Sequence, residues 1–392
     1  MTTRFFLLSL LILSVASFSK AEDNTEEKTK FKFIPTGRVL IDGAFYPSSQ
    51  KDMFKGGMSI PEARLGAKME YGNWSSWIDV GFAYGKIGLR NMWIQYDFNE
   101  KNSLRVGNFL QPFGYQSPVT SNNKPTFEQP LVSALFTPGL QLGLMYTFHD
   151  PMFYSATAFH VESSALTNYM NYPLFNQQGY SLLTRFVVRN KDAGEKDKPI
   201  FHGGISLGYS TPDRHLVDDQ DVHSGFTNTA YFPTKVSFVP AISAVIGDSK
   251  NRFKLSPELL LSYKRIALES QYFFQTIARR DNMPSFNAQG AYVTVRGILL
   301  GGDYGYDSNI AQLVNPKKHT LEAVADYNYA SLSDAKAGIF GGRANSFSFT
   351  LNYYFNRYIT ARLNYTHTHT WDREDHPSIT QNALQLRIML LY

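Results

Sequence analysis

The residues of this chain with the clearest chemical potential are basic side chains that a strand pattern would point into one shared interior. Guanidinium and ammonium groups bind phosphate and other anions by charge and by hydrogen bonds. Seven candidates occupy segments with strand-like alternation, and the eighth lies in a long loop. As candidates for lining a pore and binding anions we identify Arg38, Arg64, Lys68, Arg105, Lys124, Arg185, Arg362 and Arg387.

Acidic side chains share the same interior faces, so the interior as a whole is not predicted to be basic. The inward carboxylates are Asp42, Glu62, Glu70, Asp79, Glu258, Glu269, Glu322 and Asp326. The cations are unevenly distributed, because Arg38, Arg64, Lys68 and Arg105 come from the first, second and fifth strands and could form a local basic wall. Two interpretations stay open at this point. The four cations form an anion site, or each pairs with a neighbouring carboxylate and only braces the wall.

No other chemistry is indicated by the sequence. A Gly-x-x-x-x-Gly-Lys phosphate loop and a His-Glu-x-x-His helix are missing from it. Gly204–Gly208 matches Gly-x-Ser-x-Gly, but it lies inside an alternating strand segment and not at a strand-to-helix elbow. The chain has no cysteine, which excludes disulfides, thiolate metal sites and thiol catalysis. We therefore predict no enzyme activity, no catalytic residue, no cofactor and no metal site.

Composition narrows the class of protein that could hold these side chains. Aromatic residues make up 15% of the 392 residues and charged residues 18%, which excludes a disordered chain. Mean hydropathy is −0.27, and no segment beyond the N-terminus has the apolar length of a membrane-spanning helix. The formal net charge of +5 is too small to indicate a nucleic-acid partner.

The elements that would position the cations are strands. After Lys30, segments of about ten residues alternate apolar and polar side chains and are separated by turn residues. In Ala383–Tyr392, for example, leucines and Ile388 share one face while Gln385 and Arg387 share the other. Such alternation over many segments is typical of a transmembrane β-barrel. We count sixteen strands and predict an all-β, antiparallel transmembrane barrel over residues 36–392, its first strand being Thr36–Tyr46.

The remaining segments are assigned by composition and position. Residues 1–21 have the basic start, short apolar run and small-residue cleavage site of a signal peptide. Residues 22–35 are interpreted as a charged periplasmic lead-in. Residues 111–139 form the candidate constriction loop, which we expect to fold into the barrel, although a position on the rim is the alternative. Val236–Ile246 is apolar enough to be an extra strand within a loop.

Four segments together resemble the phosphate-selective porin O and P family of bacterial outer membranes. Within that family, the sequence resembles members from Bacteroidetes. They are Gly37–Ala44, Glu62–Lys68, Arg105–Gly114 and Leu363–His367. The resemblance implies a sixteen-stranded barrel, usually a homotrimer, that passes phosphate or other anions through a basic constriction. The chain departs from the family at Leu140 and Asp326, where relatives often have inward arginines. Both changes remove positive charge from the lumen.

The resulting functional prediction is an outer-membrane porin of a Gram-negative bacterium that allows passive diffusion of small hydrophilic solutes. Its permeants would be phosphate or other small anions, and its other partners would be outer-membrane lipid and two further copies of the chain. The alternatives are a general diffusion porin without anion preference, an enzyme built on a barrel, and a secreted β-rich binding protein.

Overall fold

The computed structural model describes residues 30–392 apart from 48–51, 86, 138, 162–177, 218–219, 224, 317 and 375. The predicted signal peptide, residues 1–21, lies outside the described residues, as does most of the lead-in. The first strand begins at Lys32, four residues before the predicted start at Thr36.

Strands account for most of the described chain. The first eleven are β1 (Lys32–Phe45), β2 (Gly57–Tyr71), β3 (Trp74–Gly81), β4 (Gly88–Asn99), β5 (Asn102–Leu110), β6 (Leu140–His149), β7 (Phe153–Val161), β8 (Tyr180–Arg189), β9 (Ile200–Ser210), β10 (Arg214–Val217) and β11 (Gln220–His223). The others are β12 (Phe226–Tyr231), β13 (Pro240–Ile246), β14 (Ser249–Tyr263), β15 (Ile266–Arg279), β16 (Phe286–Leu300), β17 (Gly305–Asp307), β18 (Gln312–Val314), β19 (Thr320–Asp334), β20 (Ile339–Tyr354), β21 (Ile359–Arg373) and β22 (Ile379–Leu391).

Sixteen of these strands close into one antiparallel barrel. Its order is β1 to β9, then β14, β15, β16, β19, β20, β21 and β22. The seam forms between β1 and β22, where Gly37 and Tyr392 exchange backbone hydrogen bonds of 3.2 and 3.1 Å. Closure leaves no unpaired strand edge, which is a requirement for strands inside a bilayer. The predicted fold class and strand number are confirmed.

Period-two alternation separates the two faces of the barrel wall. In β22, Leu384 and Leu386 are 45% and 50% exposed on the outside, whereas Gln385 between them is 1% exposed on the inside. Aromatic side chains, including the Trp74–Tyr96 pair at 4.7 Å, lie on the outer face near the end that carries both chain termini. We call this end the terminal end, and the opposite end the loop end.

Three segments enter the barrel instead of lying outside it. The inner loop, Gln111–Gly139, enters from the loop end and contains α1 (Leu131–Phe136), besides a short 3-10 turn at Ser121–Asn123. The outer hairpin, β12–β13, enters from the same end, so the predicted extra strand at Val236–Ile246 is a loop strand outside the barrel ladder. The terminal hairpin, residues 301–319, enters from the terminal end and contains β17 and β18.

The inserted segments give the barrel an apolar interior. At the loop end, α1 and the outer hairpin pack against the inward faces of β15, β16 and β19, with Phe136 stacked on Phe273 at 5.5 Å. A second apolar cluster joins Tyr115 of the inner loop to Tyr306 and Ala311 of the terminal hairpin. The lumen is consequently filled on the β14–β22 side and open mainly along β2–β5.

No helix among the described residues is long and apolar enough to cross a membrane.

Candidate permeation path

Three cavities follow one another along the β2–β5 wall. The outer cavity, of about 170 Å³, lies toward the loop end, the middle cavity measures about 330 Å³, and the inner cavity at the terminal end measures about 840 Å³. The outer and middle cavities share Arg38, Arg64 and Thr120. The middle and inner cavities share Lys68, Trp77, Thr120 and Asn123. Because neighbouring cavities share lining residues, they lie next to one another and define a candidate path.

The junction between the outer and middle cavities is a cluster of four charges. Glu62 accepts from Arg38 and lies 2.6 Å from Nε of Arg64, whose Nη1 is 3.2 Å from Asp79. Ser121 of the inner loop donates to the other oxygen of Glu62 at 2.7 Å. The bracing interpretation therefore holds for Arg38 and Arg64, which are paired with carboxylates. The same two arginines also line the path.

Three further cations on the path have a different environment. Within the described residues, neither Lys68, Arg105 nor Lys124 forms an ion pair with a carboxylate. Lys68 lies over the Trp77 ring at 4.9 Å, and Arg105 lies over the Trp93 ring at 4.1 Å. Their positive charges are therefore only weakly offset locally.

Lys124 is held deep in the inner loop, where it donates to Gln129 and lines the outer cavity. Burial lowers the pKa of Lys124 to about 8, although the nearby carboxylate of Glu128 opposes this shift. Burial alone would raise the pKa of Glu128, but Lys235, Arg387 and Lys124 together lower it to about 2. Glu128 is therefore ionised at neutral pH, whereas Lys124 titrates near physiological pH.

The other three predicted pore-lining cations hold inserted segments in place. Arg362 is fully buried and donates to the carbonyls of Thr126, at 2.9 Å, and Lys124. Arg387 bonds both oxygens of Asp42 at 2.7 Å and lies 2.6 Å from Glu128 of the inner loop. These contacts place Arg362 and Arg387 behind the inner loop and away from the cavities.

Arg185 anchors the terminal hairpin in the same way. It pairs with Glu258 at 2.7 Å and donates to the Ile310 and Ala311 carbonyls at 3.3 and 3.1 Å. His202, on the neighbouring strand, joins Glu258 at 2.9 Å to the Tyr306 hydroxyl at 2.9 Å. The alternation correctly pointed Arg185 inward, but the hairpin covers it.

Four buried inward cations were missed by the sequence analysis, and they too have structural roles. Lys254 donates to the Phe136 carbonyl at 3.1 Å, Arg252 lies over the Phe226 ring at 4.2 Å, and Arg296 pairs with Glu322 at 2.8 Å. Arg189 donates to the Pro151 carbonyl at 3.0 Å. Arg252 and Lys254 have the same strand parity as Glu258, which the sequence analysis did assign to the inner face. That parity was the signal that could have found them.

Comparisons with known proteins agree that this is a porin-type β-barrel. The family model described as phosphate-selective porin O and P matches residues 35–392. No curated protein gives a significant match. Solved structures of similar fold include the anion-selective porin from Comamonas acidovorans, with 10% identity, a TM-score of 0.58 and coverage of 93% of this chain and 100% of that one.

Two further structures share the fold. The trimer form of OmpT from Vibrio cholerae has 9% identity and a TM-score of 0.53, with coverage of 92% of this chain and 99% of that one. OprB from Pseudomonas putida has 10% identity and a TM-score of 0.55, with coverage of 92% and 94%. At these identities the likeness concerns the fold alone.

Proposed function

The chain belongs to the phosphate-selective porin O and P family and is thus an outer-membrane porin, and from that premise we propose that it conducts phosphate and other small anions passively, without a catalytic step. The observation that carries the anion preference is the charge of the smallest of the three cavities. Among the described residues, the outer cavity is lined by Arg38, Arg64 and Lys124 and by no carboxylate side chain.

The charge remains positive when the nearest carboxylates are included. The outer and middle cavities together are lined by four cations, Arg38, Arg64, Lys68 and Lys124, and by Asp79. Adding Glu62, which bridges the two arginines, and Glu128, whose charge acts on Lys124, leaves four cations against three carboxylates. Rings of charge in a narrow pore select ions of opposite sign. The three carboxylates limit that preference, so we expect modest anion selectivity and no strict specificity for phosphate.

The inner loop, residues 111–139, is proposed to be the constriction. It supplies Thr120 to all three cavities and Lys124 to the outer one, opposite the cations of β1 and β2. Charges in a wide wet pore are screened over about 8 Å at physiological salt. A loop that narrows the pore keeps every passing ion within that distance of Arg38 and Arg64.

Zero-current potentials across a potassium chloride gradient test the proposal in planar bilayers. The wild type should be anion-selective, and Arg64→Ala with Arg105→Ala should reduce the potential toward zero. Raising the salt to about 1 M shortens the screening length to about 3 Å and should weaken the selectivity too.

Arg265→Ala is the matched control, since Arg265 lies in an exposed turn outside the path and pairs with Asp303 at 3.8 Å. A cation-selective wild type would refute the anion preference and leave a general diffusion porin.

We further propose that three copies assemble. The family resemblance and the existence of a trimer form of OmpT support this. The wall from β3 to β9 is built from strands of 8 to 12 residues, whereas the wall from β14 to β22 uses strands of 13 to 16. Strands of about 9–11 residues already span a bilayer, so we propose the shorter wall as the face that contacts neighbouring subunits. Molecular mass by light scattering in mild detergent distinguishes a trimer from a monomer.

A further inference from the structure

The inner cavity contains aromatic surface that conduction of a small inorganic anion does not require. Only four tryptophans occur in the chain, and two of them, Trp77 and Trp93, point into this cavity. Their rings are perpendicular, with centroids 6.4 Å apart. Tryptophan is the side chain with the largest apolar face, and a lumen that served only hydrated ions would gain nothing from it.

A cation is placed against each of the two indoles. The guanidinium of Arg105 lies 4.1 Å from the Trp93 ring centre, and the ammonium of Lys68 lies 4.9 Å from that of Trp77. Gln95 orients Arg105 by accepting from Nε and Nη2 at 3.0 and 2.7 Å. Within the described residues, Nη1 of Arg105 has no hydrogen-bond partner. The cavity thus offers apolar faces beside fixed positive charge.

The same cavity also offers acceptors suited to hydroxyl groups. Gln95 donates to one oxygen of Asp97 at 2.7 Å, which leaves the second carboxylate oxygen for another donor. Asn91 also lines the cavity, whereas the side-chain oxygens of Asn99 and Asn123 already accept hydrogen bonds from neighbouring residues. A carboxylate repels a second anionic group but accepts hydrogen bonds from hydroxyls. This set favours a ligand with one anionic group and several hydroxyls over a flat aromatic acid or a polyanion.

We propose that the inner cavity binds sugar phosphates, with the phosphate on Arg105 and Lys68 and a face of the sugar ring against Trp77 or Trp93. The volume of about 840 Å³ lies within the range of small-molecule sites, roughly 300–1,000 Å³, and is large enough for a sugar ring with its phosphate. This proposal rests on the anion conduction proposed above and names its solute class.

The test compares how glucose 6-phosphate, inorganic phosphate and glucose block the chloride current of the full-length channel in planar bilayers. The half-blocking concentration of glucose 6-phosphate should be about tenfold below that of phosphate, a difference of about 1.4 kcal/mol. Glucose should block less than glucose 6-phosphate because it lacks the anionic group. Equal block by glucose 6-phosphate and phosphate would overturn the proposal.

Variants separate stacking from charge. Trp93→Ala should raise the half-blocking concentration of glucose 6-phosphate about fivefold, which corresponds to about 1 kcal/mol of lost ring contact. It should leave that of phosphate within about twofold. Trp93→Phe keeps a ring and should keep most of the preference. Trp74→Ala is the matched control, because Trp74 begins the same strand as Trp77 but faces outward.

The design distinguishes failure of this proposal from failure of anion conduction. Chloride conductance and heat-modifiable gel mobility verify that each variant is folded, and the zero-current potential is measured in the same membranes. An anion-selective channel in which Trp93→Ala shifts both blockers equally would overturn the sugar-phosphate site alone. A cation-selective wild type would overturn anion conduction itself.

Discussion

The hydroxyl oxygen of Tyr115 accepts a 3.1 Å hydrogen bond from the backbone N–H of Leu313, although the two residues enter the barrel from opposite ends. The side chain of Gln312 adds a 2.8 Å bond to the Tyr115 carbonyl. The inner loop and the terminal hairpin therefore meet inside the lumen. Their contact fills much of the centre of the barrel and leaves a cavity of about 230 Å³ beside it, while the largest cavity lies along the β2–β5 wall.

Removing the terminal hairpin should widen the candidate path. If residues 303–318 are replaced by a short turn, β16 and β19 stay joined, and the interior around Tyr115 becomes open to water. Single-channel conductance should rise while anion selectivity falls, because more distant charges are screened. Tyr115→Phe, which removes the hydroxyl alone, should leave conductance near the wild-type value. An unchanged conductance in the shortened channel would mean that the hairpin does not restrict the current.

Arg387 should be one of the largest single contributors to the stability of the inner loop. Its guanidinium joins Asp42 of β1 to Glu128 of the loop, and the side chains of Arg387 and Asp42 are 3% and 0% exposed. Arg387→Met leaves Asp42 without its cation and Glu128 with Lys235 alone, and removing one partner of a buried ion pair costs about 3–5 kcal/mol. Urea unfolding of the folded barrel, followed by tryptophan fluorescence, measures the loss. Adding Asp42→Asn should recover part of it, and the absence of any recovery would show that charge burial is not the cause.

The barrel could be predicted from the sequence because each strand is recognised from the alternation of neighbouring residues. Alternation along each strand assigns a face to every residue, and this correctly placed Arg38, Arg64 and Arg387 inside. Alternation cannot tell whether an inward side chain meets water or an inserted segment. The contact of Arg362 with Thr126 joins residues 236 positions apart, and only the folded chain brings them together. The same limit explains why Arg185 appeared to line the pore.

Charged substitutions at outward residues of β22 should be destabilising, because these residues face lipid. Leu386 lies near the middle of the strand and is 50% exposed, so Leu386→Lys should cost about 2–4 kcal/mol if it lies near the membrane midplane. Asn123→Lys is the control, since Asn123 lines the water-filled path. Gln385 is unsuitable as a control, because it donates to the Pro233 carbonyl at 3.0 Å beneath the outer hairpin. Refolding yields into lipid vesicles provide the comparison, and equal tolerance of both lysines would contradict the assigned faces.

The anion preference should depend on pH through Lys124. This lysine lines the outer cavity, and burial lowers its pKa to about 8 from an ordinary value of 10.5. Below pH 8 the ammonium is charged and contributes to anion selectivity, and as pH rises through 8 the charge is lost. Glu128, with a pKa of about 2, stays ionised across the same range and contributes no change of its own.

The zero-current potential should therefore move toward zero between about pH 7 and pH 9. In Lys124→Arg the guanidinium stays charged throughout, because arginine does not lose its proton in this range, so the potential should be constant over this interval. In Lys124→Gln it should be constant as well, but at the lower value that the wild type reaches at pH 9. A wild-type potential that does not change with pH, or a Lys124→Arg channel that titrates like the wild type, would rule out Lys124 as the group responsible.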